Sequence, residues 1–227
     1  MLSRLPCQSR LSRTPGDKSP ITPIKSISSL TLMNPEAAPG RQVILVTGPA
    51  RSGKSEWAES LAMQAGLPVL YVATAVADPA DVEWQARIEG HRQRRCQSWA
   101  TLEVPAELPA AIAAAPVATG LLVDSLGTWV ANLLELDTAG WERTQQELLA
   151  SLQGTRARLV IFVAEETGWG VVPAYRAGRL FRDRLGLLVR RLGAIANPVY
   201  LVAGGHALNL SALASPLPPD STRPPQG

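Results

Sequence analysis

Gly48-Pro49-Ala50-Arg51-Ser52-Gly53-Lys54-Ser55 carries the sharpest chemical signal in the chain. It matches G-x-x-x-x-G-K-[ST], whose glycines let the backbone bend around phosphate groups. Amide N–H groups at the start of the following helix point at the anion with the favourable end of the helix dipole. Lys54 would reach the β- and γ-phosphates, and the Ser55 hydroxyl would help to hold Mg²⁺. Such a loop also needs an acid for the metal, reached directly or through water. Asp124, ending the apolar run from Gly120, is the candidate. A helix N-cap is the alternative use of the same side chain.

A second candidate lies at His91, with Arg87, Arg92, Arg94 and Arg95 close in sequence and Gln93 among them. A neutral imidazole is a competent nucleophile near pH 7. Neighbouring guanidiniums would stabilise a pentavalent phosphorus and the triphosphate. The blander reading is a solvated basic helix end with an ordinary surface histidine. His206, after Gly204-Gly205, reads as a turn residue.

These residues need a scaffold, and the hydrophobic pattern predicts one. Val43–Thr47 is a short apolar run and Val69–Val72 a second strand, Leu121–Asp124 and Leu159–Ala164 read as buried strands, and Val199–Ala203 closes the set as a last strand. Lys54–Ala65 and Asp81–Arg95 read as helices. Pro173 is expected to open a long helix whose Phe181, Leu185, Leu188, Leu192 and Ile195 share a face. Strands alternating with helices imply an α/β fold, a mostly parallel sheet covered on both faces.

The 227 residues suit one α/β domain, expected over 41–210. Residues 1–40 are Ser- and Pro-rich and read as a disordered or mis-called extension. Met33 is an alternative start, and a transit peptide is superficially resembled. Residues 211–227 read as a disordered Pro-rich tail.

The net charge of +3 is misleading, because residues 1–33 hold five basic residues and one acidic one. Without them, 17 basic residues face 18 acidic ones, which gives no electrostatic footprint for nucleic acid. No apolar run approaches the roughly 20 residues of a membrane-spanning helix. Cys7 and Cys96 lie far apart with no Cys/His metal spacing, which fits a reducing, cytoplasmic compartment. No N-K-x-D stretch of regulatory GTPases and no DNA-binding motif occurs.

Several motifs together carry a resemblance. They are ILVTGPARSGKSEWAE, YVATA, RIEGHRQRR-x₃-W-x-T-x-E, LLVDSLGTWVANLL, and ETGWGVVP followed by R-x₂-R-x-FRD-x₂-G. In this order, over roughly residues 42–205, the chain resembles the bifunctional adenosylcobinamide kinase / adenosylcobinamide-phosphate guanylyltransferase family of cobalamin biosynthesis. The resemblance implies a RecA-like P-loop NTPase fold of three layers. It also implies two reactions: an NTP, ATP or GTP, phosphorylates adenosylcobinamide, and GTP then gives GMP to the product through a histidine. By the family's motif His91 carries that GMP. Gly48, Pro49, Ala50, Arg51, Ser52, Gly53, Lys54, Ser55, Ala73, Thr74, Ala75, Arg92, Gln93, Arg94, Arg95, Glu103 and Asp124 form the nucleotide site, with Mg²⁺ on Ser55 and Asp124. A homo-oligomer such as a trimer is implied as well.

The chain departs from the family pattern twice. Thr-Asn-Glu-Val-Gly is replaced by Ala164-Glu165-Glu166-Thr167-Gly168, and an Asn-Gln pair in the last long helix by Val189-Arg190. Glu165 and Glu166 read either as functional acids or as a solvated pair. Trp169 reads either as an apolar surface for the corrinoid or as a core plug.

Overall fold

In the computed structural model, residues 41–76 and 98–217 are described. Contacts divide the chain into Met1–Pro39 and Gly40–Gly227, the first lying wholly outside the described residues. The anticipated Asp81–Arg95 helix lies outside them too.

Seven strands form one sheet: β1 (Gln42–Gly48), β2 (Val69–Ala73), β3 (Ala100–Glu103), β4 (Gly120–Asp124), β5 (Leu159–Glu165), β6 (Val199–Ala203) and β7 (His206–Asn209). Their order is β3-β2-β4-β5-β1-β6-β7. All neighbours are parallel except β6 and β7. Six strands therefore end on one edge, where Ala73 is in register with Glu103 and Asp124, and Gly48 with Glu165.

Alternation along β1 explains why Val43–Val46 is an unbroken apolar run. Val43 and Leu45 enter one core, whereas Ile44 and Val46 enter the other. Val160 and Phe162 of β5 likewise face away from Ile161 and Val163. A strand covered on both faces has no polar side to show.

Helix α1 (Lys54–Gln64) covers one face through Ala58 and Ala62. It stops before Gly66, whose φ of +64° suits the left-handed turn that ends a helix. The opposite face carries α2 (Leu108–Ala113), α3 (Leu126–Asn132), α4 (Thr138–Gly154) and α5 (Arg176–Gly193). Trp129, Leu148, Leu185 and Leu188 are fully or almost fully buried there. Burying a side chain of this size stabilises the fold by about 1.5–3 kcal/mol. The result is the three-layer α/β arrangement expected of a P-loop NTPase.

Three expectations need correction. The long helix begins at Arg176, because Tyr175 still has extended backbone, and Pro173 lies in the connection before it. Ile195 lies past the helix end and is half exposed, so it does not share the buried face. Val199–Ala203 is not the last strand. Gly204 and Gly205, at φ of +57° and +78°, turn the chain back into antiparallel β7. A short α6 (Leu210–Leu213) follows, capped by the Asn209 side chain accepting from the Ala212 N–H. No described helix is long and apolar enough to cross a membrane.

Candidate active site

The Gly48–Ser55 loop leaves β1 at the carboxyl edge of the sheet and turns into α1. Two features bend it there: Arg51 at φ +58° and Gly53 at φ +90°. The Gly53 carbonyl then accepts the Trp57 N–H at 2.9 Å, which starts the helix with Lys54 and Ser55 in its first turn. Gly48 is required by close approach. A Cβ there would collide with the Val202 carbonyl oxygen of β6 and stand 2.7 Å from the Ser52 hydroxyl. That hydroxyl oxygen is buried and has no hydrogen-bond partner among the described residues. A buried donor without a partner is costly, and a phosphate oxygen in the loop is the acceptor it fits.

Asp124 sits half-buried at the end of β4, two strands from β1, with β5 between. Its Oδ2 accepts the Tyr71 hydroxyl at 3.0 Å. The alternative N-cap role falls instead to Ser125, whose side chain accepts the Thr128 N–H at the start of α3. Asp124 is thus free of capping duty.

The turn after Asp124 is held from two sides. The Thr74 hydroxyl donates to the Ser125 carbonyl at 2.7 Å and accepts the Ser125 N–H at 2.9 Å. From β5, Glu165 Oε2 accepts the Gly127 N–H at 2.9 Å. Asn132 adds a further tie, donating to the carbonyls of Thr74 and Pro105. Thr74 is completely buried, so its side chain holds this turn, while Ala73 and Ala75 beside it are half-buried. Tyr71, Ser125 and Gly127 were not singled out in the sequence, although all lie inside the YVATA and LLVDSLGTW motifs.

Glu103 ends edge strand β3 and is exposed. Gly48–Ser55, Ala73–Ala75, Glu103 and Asp124 therefore share one edge of the sheet, where ligands of open α/β sheets bind. His91 and Arg92–Arg95 lie outside the described residues. Glu165 is not half of a solvated pair, because its carboxylate is tied to Gly127. Glu166 Oε1 accepts the Gly168 N–H at 2.6 Å. Trp169 is 65% exposed and plugs no core. His206 is not in the turn: it opens β7 opposite Ala203 and is exposed, with Nδ1 2.9 Å from the Gly204 carbonyl oxygen.

Among the described residues, no three His, Cys, Asp or Glu side chains gather as a metal cage. One carboxylate and one hydroxyl beside a phosphate cradle still suit Mg²⁺. This ion keeps several waters and takes the rest of its oxygens from substrate phosphates. Ser55 and Asp124 fit that pattern.

Known proteins carry the same arrangement of sequence. The family described as CobU, cobinamide kinase / cobinamide phosphate guanyltransferase, matches residues 44–210. The bifunctional adenosylcobalamin biosynthesis protein CobP of Pseudomonas aeruginosa is 40% identical over 167 residues, 73% of this chain and 95% of that protein. The bifunctional adenosylcobalamin biosynthesis proteins CobU of Salmonella typhimurium and Escherichia coli are each 39% identical, covering 74% of this chain and 99% of theirs. With its phosphate loop, its acid-tipped β4 and this extent of similarity, the chain belongs to the cobinamide kinase / cobinamide phosphate guanyltransferase family and is a transferase.

Proposed function

We propose that the chain phosphorylates the hydroxyl of the aminopropanol arm of adenosylcobinamide with an NTP, then transfers GMP from GTP to the product. The second reaction runs through a GMP–histidine bond at His91 and yields adenosylcobinamide-GDP. One observation carries the reading: a glycine-lined phosphate cradle with an unpartnered buried Ser52 hydroxyl, in a chain of this family. The two activities are those in the family's description, and its relatives, named as bifunctional adenosylcobalamin biosynthesis proteins, are matched over nearly their whole length.

Each residue's part follows from charge and reach. The loop N–H groups and Lys54 hold the phosphates, and Ser55 and Asp124 would hold Mg²⁺. When bound, the ion would neutralise phosphate charge. In the nucleotidyl step a His91 nitrogen forms a bond to the α-phosphorus, the α–β bridging bond breaks, and pyrophosphate leaves. The acceptor phosphate oxygen then displaces the imidazole, so two in-line steps replace one. Arg92, Arg94 and Arg95 would balance the charge that develops.

GTP labelled at the α or the γ position tests this. The α label alone should attach to the protein, acid-labile and base-stable, and should be lost in His91→Ala. A protein that stays unlabelled while phosphorylating cobinamide would be a P-loop small-molecule kinase without histidine chemistry. Lys54→Ala should abolish both transfers, since both use one cradle.

A further inference from the structure

A cavity of about 290 Å³ opens between the chain leaving β5 and the facing side of α5. Glu165, Glu166 and Gly168 line one wall, and Arg182, the carboxylate-bearing Asp183, Gly186 and Val189 line the other. Residues 182, 186 and 189 follow helical spacing, so one stripe of α5 closes the space. Small-molecule sites run from about 300 to 1,000 Å³. This volume therefore suits a short arm of a substrate and not a macrocycle.

Its position is informative. The Glu166 N–H donates to the Gly48 carbonyl at 2.9 Å, and Glu165 is the register partner of Gly48. The cavity wall is thus continuous with the first residue of the phosphate cradle.

The charged groups around it are unequally committed. Arg182 donates to the carbonyls of Gly168, at 2.7 Å, and Gly170, and so braces the wall. Glu165 is engaged by Gly127. Glu166 uses one oxygen for the Gly168 N–H. Its second oxygen has no hydrogen-bond partner among the described residues. Glu165 and Val189, the two departures noted in the sequence, are far apart in the chain and meet in this one space.

We propose that this cavity receives the hydroxyl-bearing arm of the phosphoryl acceptor, and that Glu166 is the group that takes its proton. The proposal rests on the kinase half of the function proposed above. As the hydroxyl oxygen bonds to the γ-phosphorus, its proton passes to the Glu166 carboxylate. The β–γ bridging bond breaks, and the nucleoside diphosphate leaves. Glu165 and Val189 make the surroundings of that arm more acidic on one wall and more apolar on the other than the family's two asparagines would.

Gly186 offers a clean way to test the space. A Cβ there meets nothing within 4 Å, so a side chain can leave the helix at this cavity-lining position without a clash at its base. Replacing a mid-helix glycine also favours the helix. Wild type, Gly186→Leu and Glu166→Gln are compared as full chains for γ-phosphoryl transfer to cobinamide, GTP affinity and urea midpoint. Gly186→Leu should raise the acceptor KM about tenfold or more, with GTP affinity kept and the midpoint unchanged or raised. Glu166→Gln should lower kcat of the kinase step about 100-fold or more. GTP affinity should stay within about twofold. An unchanged acceptor KM in Gly186→Leu, or an unchanged kcat in Glu166→Gln, overturns the proposal. A folded wild type that binds GTP and phosphorylates no corrinoid overturns the kinase reading itself.

Discussion

Glu165 and Gly127 are a matched pair: the Glu165 carboxylate accepts the Gly127 N–H at 2.9 Å, and a Cβ on residue 127 would overlap that carboxylate. This contact ties β5, the strand beside the phosphate loop, to the turn that follows Asp124. Gly127 is buried, so its N–H cannot turn to water instead. Removing the acceptor, or pushing it aside with a methyl group, removes the same bond.

Glu165→Ala and Gly127→Ala should therefore each cost about 1.5–3 kcal/mol, as expected for a hydrogen bond to a charged group. The double variant should cost little more than either single one, because the shared contact is lost only once. Glu165→Gln keeps an acceptor and should recover at least half of the loss. Urea midpoints of the four variants measure this. Full additivity in the double variant would show that the two residues act independently.

Gly48→Ala tests the seat of the phosphate loop. Its Cβ would meet the Val202 carbonyl, which is backbone and cannot swing away as a side chain would. The β1–β6 seam must part, at a cost of about 1–3 kcal/mol, and GTP affinity should fall at least about tenfold. Gly154→Ala is the control, since nothing lies within 4 Å of its Cβ. Calorimetry with GTP on both variants gives the contrast.

Arg184 is buried, and its guanidinium donates to the carbonyls of Leu133, Leu134 and Leu136 beyond the end of α3. It also lies 5.2 Å from the Trp141 ring centroid. Burial pulls its pKa below the usual arginine value, and Asp137 pulls it back up. Arg184→Ala strips three carbonyls of a donor and should destabilise by about 2–4 kcal/mol. Arg184→Lys should recover less than half, because one ammonium lacks the forked reach of a guanidinium. Thermal and urea unfolding would show the order.

Tyr200 packs edge-on against Trp57 with ring centroids 5.5 Å apart, and burial raises its pKa above the usual tyrosine value of 10.0. Below pH 10 the phenol is neutral in both folded and unfolded chains. As pH rises past 10 the unfolded phenol ionises first, so the Tyr200 contribution to stability is lost as pH climbs through the folded pKa. Tyr200→Phe should flatten the fall in urea midpoint between about pH 9 and 11. A slope equal to that of wild type would remove Tyr200 as its source.

The sequence by itself determined the phosphate loop, the acid at the end of β4, five strands of the sheet and the family. These are local signals: a motif of fixed spacing, and apolar runs that arise because both sheet faces are covered. Edge strands β3 and β7, partly or wholly exposed, have no such run and were not legible. The start of α5 was misread because Pro173 favours a helix opening, whereas the chain stays extended to Tyr175. Only the tertiary structure decided that β5 lies between the phosphate loop and Asp124. That order turned Glu165 from a candidate solvated acid into a strut for Gly127, and set Glu166 beside Gly48. Such roles depend on which strands become neighbours, and strand order is a property of the packed sheet that no short stretch of sequence encodes.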